Sequence, residues 1–425
     1  MNSSLATDTY LDDARSPISR FERFLFVAAF GLLVSARLPR VWSQGRFWAE
    51  EGHPFFENAW NLHWWQAVFT VHIGYLNLVA NGAAVLAYHL ASLRYAPYVP
   101  SILALGIQLF PAILLATCDS AWLRHRYVLV AALLIVATPP ATEEVWLSSI
   151  ASHFVLTLCV ALILTLETKA RPWLHGFRCI SLLLGPLSGP SAAFLLPLFA
   201  VRALLDRSWA RGAQGLVLAV GTAIQLPVFY NPASGRQLSI TPWLLLSVMF
   251  VKHLLVPLLG AHLPSELAER MYGRFTVGKL PILPGLAALA AWMVSAIGVL
   301  HHRAREPLWL FTAASVIAAL SYFGAVQDHR YLLLVYAGQR YAFTPQVLFG
   351  LAMRCFAATG GWYSRRLGGA LVVWLIIVGL QGYFLPSPIM ARGPSWSEEL
   401  PLWRQDPAHP IAIWPQGWTM TLTPP

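Results

Sequence analysis

Charge is what this chain has least of: only 11% of its 425 residues are Asp, Glu, Lys or Arg, against 57% hydrophobic residues. That balance excludes a water-soluble domain of this size and makes a bilayer the solvent for most of the chain. Cysteine is as scarce. The four thiols, Cys118, Cys159, Cys179 and Cys355, lie in or beside apolar segments without a CxxC pair, which speaks against a disulfide framework or a cysteine metal site. There is no Walker-type glycine loop, no HExxH, no paired His/Cys spacing and no GxSxG, so soluble nucleotide binding, zinc proteolysis and ordinary serine hydrolysis have no support. Acids are outnumbered, 19 Asp and Glu against 29 Lys and Arg, for a formal charge of +10. The basic residues fall in short clusters between apolar runs rather than in a stripe or tail. They read as determinants of membrane topology and not as a nucleic-acid surface.

Apolar runs are present in quantity. They predict an all-α polytopic membrane protein with roughly eleven crossings, at 22–38, 98–118, 127–140, 146–166, 179–188, 190–205, 214–230, 282–300, 308–324, 343–358 and 369–385. Residues 1–21 read as a polar cytoplasmic segment ahead of a retained first helix, because no A-x-A-like cleavage site accompanies it. Residues 22–385 read as the transmembrane module, and 386–425 as a Pro- and Trp-rich external tail, a small irregular cap without a core of its own.

Two further apolar stretches, 75–93 and 241–259, decide the parity. If neither crosses, Arg124/Arg126, Lys169/Arg171/Arg178, Arg202/Arg207/Arg211, Arg303/Arg305 and Arg365/Arg366 all face the cytoplasm, as the positive-inside rule requires. Residues 39–97 then form a long first external loop, whose Trp42, Trp48, Trp60, Trp64 and Trp65 suit helices lying in the interface. Glu50, Glu51, Glu57, Glu143, Glu144, Asp328, Glu398 and Glu399 collect on the same external face. The Pro- and Gly-punctuated run 183–202 predicts two abbreviated helices meeting at an external turn. A cavity near Ser188 to Ser191 would satisfy the backbone groups freed there.

Three constellations carry chemistry. The first is "RFWAEEGHPFF", residues 46–56. Adjacent carboxylates beside aromatics at a membrane surface raise at least one pKa, which suits general-base work on a sugar hydroxyl or the holding of a metal. The plainer alternative is that Glu50 and Glu51 cap an interfacial helix and face water. The second is "PPATEEVWLSSIASHF", residues 139–154, with Glu143 and Glu144 at an external turn and His153 just inside the next helix. Here the plainer alternative is negative charge placed at a helix N-terminus, where the dipole favours it. The third is the set of external cations Arg236, Lys252, His253, Arg274, Lys279, Arg330 and Arg340. Most read as snorkelling or paired with loop acids. Arg340, beside Tyr341 at a helix mouth, is placed to clamp a phosphate or diphosphate through two parallel hydrogen bonds.

A first helix, a long external loop with an acidic pair, then short helix hairpins with acids at their outer turns resemble the GT-C superfamily of membrane glycosyltransferases, which use polyprenyl-phosphate sugars as donors. More narrowly, "FWAEEGHPFFENA", "GYLNLVA", "GPLSGPSAAFLLPLFAVR" and "GQRYAFTP" look like elements of a bacterial subgroup in which these motifs recur in this order. The resemblance spans nearly the whole chain, and it implies a GT-C-like bundle in the plasma (inner) membrane with its active site exoplasmic. It implies inverting transfer with Glu50 or Glu51 as general base, and it leaves the choice between them open. Many such enzymes carry an Asp in this pair, whereas both residues here are Glu. By position, Glu143 and Glu144 match acids at the second external turn, and Arg340 matches a cation near the donor phosphate. The implied partners are a polyprenyl-phosphate-sugar donor, a glycan or lipid-linked acceptor and the surrounding membrane lipid, with no nucleic acid. No cofactor is required by such chemistry. Some members bind a divalent metal and others do not, and these residues do not decide it. The competing expectation is a transporter or flippase of a lipid-linked saccharide, which should show an inverted repeat and midplane charges in broken helices. No such repeat is visible.

Overall fold

The computed structural model describes residues 18–167, 171–230, 240–302, 304–326, 328–385, 387–391 and 393–424. Most of the expected cytoplasmic N-terminal segment, together with Lys169, Arg236 and Arg303, lies outside them. The described chain is nearly all-α, with two short β-hairpins, Val71–His72 paired with Tyr75–Leu76 and Ile411–Ile413 paired with Trp418–Met420.

Among the described residues, six helices are long and apolar enough to cross a membrane: Tyr98–Thr117, Trp209–Phe229, Pro242–Leu259, Ile282–Leu300, Glu306–Phe323 and Trp362–Phe384. A seventh span is completed if the pair Pro172–Ser188 and Pro190–Asp206, bent by 119°, counts as one. Their outer faces explain why a bilayer is needed. Leu283 is 79% exposed, Val294 71% and Leu367 72%, apolar surface that water would penalise and lipid does not.

The difference from about eleven crossings is one of length and charge. Arg126–Ala137 and Ser152–Thr165 have 12 and 14 residues, about 18–21 Å at 1.5 Å per residue, against a hydrocarbon core of about 30 Å. Helix Arg20–Arg37 is long enough but carries Arg20, Glu22, Arg23 and Arg37. The stretch 241–259, expected to be an external or partly immersed helix, forms Pro242–Leu259 and passes the same length and hydropathy test as the others. The stretch 75–93 does not, because its helix, Leu78–Leu90, has only 13 residues.

Local chemistry sets the helix boundaries. Ser19 and Glu22 form a reciprocal capping box on the first helix. Ser208 and Thr241 accept from the first turns of Trp209–Phe229 and Pro242–Met249. At the apex of the bent pair, the Leu-Ser-Gly-Pro turn ends one helix at Ser188 and restarts the chain as a tight 3₁₀ segment, Pro190–Leu195. The centre of the molecule is helix Ser152–Thr165, buried on every side. Tyr98–Thr117, Pro172–Ser188, Pro190–Leu195, Glu306–Phe323 and Gln339–Thr359 pack around it.

The C-terminal tail is more regular than its composition predicts. Helix Trp396–Gln405 and the hairpin 411–420 share a core with the first loop, where Phe47 and Phe56 pack with Trp396, Trp403, Ile413 and Met420. A parallel bridge joins Trp48 to Trp414, and Trp60 Nε1 donates to the Thr423 carbonyl at 2.9 Å. Of the five first-loop tryptophans, Trp64 and Trp65 are the exposed ones, whereas Trp48 is buried in this assembly.

Candidate active site

Glu50 and Glu51 sit on one 3₁₀ turn, Ala49–Glu51, and the turn sends them in different directions. Glu51 is buried. One of its oxygens accepts from Trp48 N at 2.8 Å, and the other from Ser149 N at 2.5 Å, Ser149 Oγ at 2.9 Å and Ser148 Oγ at 3.3 Å. Burial pushes this carboxyl above its ordinary range, and the charge of Arg46 pulls it back. Arg46 is itself lowered to about 10 by burial, and it donates to the carbonyls of Trp146 and Leu147 at 3.0 and 2.9 Å. Arg46 and Glu51 therefore fasten the first loop to the second, 143–149. Glu50, the neighbour, lines a cavity of about 310 Å³.

The second acidic pair divides in the same way. Glu143 and Glu144 share the 3₁₀ turn Glu143–Val145. Glu143 is buried, and it accepts from Ser387 N at 3.3 Å. Burial raises its pKa, while the Ser387 hydrogen bond and the Arg37 charge lower it. Glu144 lines the cavity beside Arg340, whose Nη1 stands 3.7 Å from Glu144 Oε2. Burial raises the Glu144 carboxyl and the Arg340 charge opposes it. Its Oε2 has no hydrogen-bond donor among the described residues.

Arg340 is positioned from two sides. Gly338 takes a left-handed conformation, φ +60°, to start helix Gln339–Thr359, and Gln339 Oε1 accepts from Glu143 N at 2.8 Å. The approach to that helix is pinned by Lys252, which is not a snorkelling surface cation. It is buried, and its Nζ donates to the carbonyls of Leu334, Val335 and Ala337, each at 2.7 Å. Among the other cations of that set, Arg330 pairs with Asp328 at 2.7 Å, His253 hydrogen-bonds Tyr322 at 2.8 Å, and Arg236 lies outside the described residues.

Five of the seven residues singled out in the sequence, Glu50, Glu144, His153, Arg340 and Tyr341, line the one cavity; Glu51 and Glu143 stand behind it. The His153 ring is oriented by its Nδ1, which must carry a proton because it lies 2.7 Å from the Ile150 carbonyl. Pro190 and Ser191 close the cavity at the bend where the sequence calls for one, and Phe194, Phe229, Leu320 and Val326 give it an apolar wall. Trp48, expected at the interface, also lines the cavity, as do Phe55, His72, Tyr75 and Trp418, which were not singled out. The hairpin carrying His72 and Tyr75 is docked by Gln225, which exchanges hydrogen bonds with both backbone groups of Leu76 at 3.2 and 3.1 Å. Burial lowers the His72 pKa.

Backbone strain marks the same place. Of the non-glycine residues with positive φ among the described residues, Ile73 lines this cavity, Ala49 precedes Glu50, and Ala141 and Leu147 flank the turn that carries Glu144; Arg207 is the fifth. Each costs on the order of 1–3 kcal/mol, and such residues gather where a site over-determines its backbone. Among the described residues no group of three or more His, Cys, Asp or Glu side chains is arranged to hold a metal ion.

No family model, curated protein or solved structure matches the chain. What the cavity can do follows from its own chemistry. It joins two carboxylates, a guanidinium and two imidazoles to the apolar side chains of Phe194, Phe229, Leu320 and Val326, a combination suited to a ligand with a charged, hydroxylated head and a hydrocarbon tail.

Proposed function

We propose that this protein is an integral membrane glycosyltransferase that moves a sugar from a polyprenyl-phosphate donor to an envelope glycan or lipid acceptor, with inversion. The observation that carries the reading is the convergence of Glu50, Glu144, His153, Arg340 and Tyr341 on a single cavity with an apolar wall. Arg340 takes the donor phosphate and neutralises the charge that develops as the phosphate leaves. Glu50 removes the proton from the acceptor hydroxyl, the hydroxyl oxygen bonds to the anomeric carbon, and the bond from that carbon to the phosphate oxygen breaks. Polyprenyl phosphate departs with the bonding pair. Glu144 and His153 bind the sugar hydroxyls, Tyr341 flanks the phosphate, and the prenyl chain lies along Phe194, Phe229 and Leu320. The step needs no nucleotide and no redox cofactor.

The arrangement proposed in the membrane is GT-C-like and multi-pass, in the plasma (inner) membrane, with the N-terminus cytoplasmic and the cavity exoplasmic. The bent pair, the two short helices and helices Arg20–Arg37 and Gln339–Thr359 bring the crossings to about eleven. Keeping every Arg cluster inside requires Pro242–Leu259, with its buried Lys252, to stay tucked against the protein rather than pass through.

Purified protein given radiolabelled polyprenyl-phosphate sugars and crude envelope glycan should release polyprenyl phosphate, and E50Q should slow release by about 10²–10⁴-fold. Near-normal release by E50Q would sink the assignment of the base. The bent pair Pro172–Ser188 and Pro190–Asp206 is the one feature that favours a flippase instead. Movement of labelled donor across proteoliposomes without release of polyprenyl phosphate would select that reading.

A further inference from the structure

Trp418 stands on two sites at once. It lines the cavity, and it also lines a second depression of about 390 Å³, bounded by His53, Glu57, Gly417, Thr419 and Thr421. One residue thus borders both the reaction cavity and a second depression. It is 37% exposed, while Ile413 and Met420 of the same hairpin fill the core beneath. Its exposure is therefore not demanded by packing.

The hairpin is built to hold that indole in place. Gly417, at φ +95°, makes the turn. Glu57 Oε1 accepts from Thr421 N at 2.6 Å, which ties the hairpin to the first loop. Glu57 Oε2 lies 2.5 Å from His53 Nδ1, so a carboxylate and an imidazole are set side by side at the edge of the depression. Unlike the inner cavity, this surface has a single apolar ring and is otherwise polar. It offers a prenyl chain nothing. A flat aromatic face flanked by a carboxylate, an imidazole and threonines suits a saccharide, whose C–H face lies on the ring while its hydroxyls reach the polar rim.

We propose that the depression beside Trp418 is the acceptor subsite, and that it binds a saccharide chain whose terminal hydroxyl passes the indole to reach Glu50. This deepens the glycosyltransferase reading and rests on it. The C-terminal tail is then a substrate platform that completes the active site from outside the helical bundle.

The test uses the full chain in lipid nanodiscs with soluble oligosaccharide fragments of arabinan, galactan, mannan and glucan, read by saturation-transfer NMR. At least one fragment should bind. W418A should weaken that binding tenfold or more, and W418Y, which keeps an aromatic face, should recover most of it at an unchanged melting temperature. Binding of none of the fragments, or W418A binding as wild type does, would overturn the proposal. Polyprenyl phosphate release measured in parallel separates the two readings. Release that persists in W418A with an unchanged acceptor KM keeps the transferase and removes the platform. Saccharide binding that depends on Trp418 without release from any donor does the opposite.

Discussion

Alanine at Glu51 would take the acceptor from two buried backbone N–H groups, Trp48 N and Ser149 N, and from the hydroxyls of Ser148 and Ser149. It would also leave the buried guanidinium of Arg46 without its opposing charge. An orphaned buried donor costs about 1–3 kcal/mol. Two of them, with Arg46 added, put the loss at about 3–5 kcal/mol, the range for removing one partner of a buried charge pair. Glu50 has no such duties in the fold. E50A should hold stability to within about 1 kcal/mol and, on the proposed mechanism, still lose the general-base contribution of about 10²–10⁴ in rate. The assay is a matched pair of measurements on each variant, the apparent melting temperature in detergent and the rate of polyprenyl phosphate release. E51A should melt well below wild type, and E50A should melt with wild type yet fail to turn over. If E51A melts with wild type, or E50A falls as far as E51A does, the division between a buried clamp and a cavity-facing base is wrong.

Two further outcomes follow from the geometry. A Cβ added at Gly189 would lie 2.6 to 2.9 Å from His153 Cδ2, Cγ and Cβ. G189A should therefore lose about 1–3 kcal/mol by overpacking, and G189A/H153A, which removes the ring but keeps the Cβ at 2.9 Å, should recover part of it; a double variant no better than the single one would show that the imidazole is not what the methyl meets. At Glu144, burial holds the folded carboxyl above the ordinary value of 4.5. Its contribution to stability is then fully present below 4.5 and is lost as pH rises through the folded value. E144Q lacks that dependence, so thermal melts from pH 4.5 to 8 should show it gaining on wild type as pH rises. A gap that stays constant, or moves the other way, refutes the burial of that charge.

Much of the site is legible in the sequence because polar residues stand out in so apolar a chain. The two acidic pairs, His153 and the Arg340–Tyr341 pair are such residues, and the Pro and Gly of 183–202 announce the bend that closes the cavity. Which acid of each pair faces the cavity is not legible. Each pair sits on a 3₁₀ turn, where three residues complete a revolution and adjacent side chains diverge by about 120°. His72, Tyr75 and Trp418 are hidden for another reason: their strands are two or three residues long, too short for an alternating pattern to register. Lys252 shows the limit of reading a cation by its neighbours in the chain, since its three carbonyl partners lie 82 to 85 residues away. The crossing count is not fixed by hydropathy alone, because a helix sheathed by protein and a helix bathed in lipid present the same apolar run.

Helix Ser152–Thr165 has a consequence for how the protein is made. It is about 21 Å long, short of the bilayer core, and none of its faces is left for lipid. During synthesis such a segment has no resting place of its own in the membrane, and it becomes stable only when the helices on both sides of it in sequence have arrived to enclose it. The cavity lies against its N-terminal end, where His153 and Phe154 line it. Because Arg340, Tyr341 and Trp418 line the same cavity, it is complete only once the C-terminal part of the chain is in place.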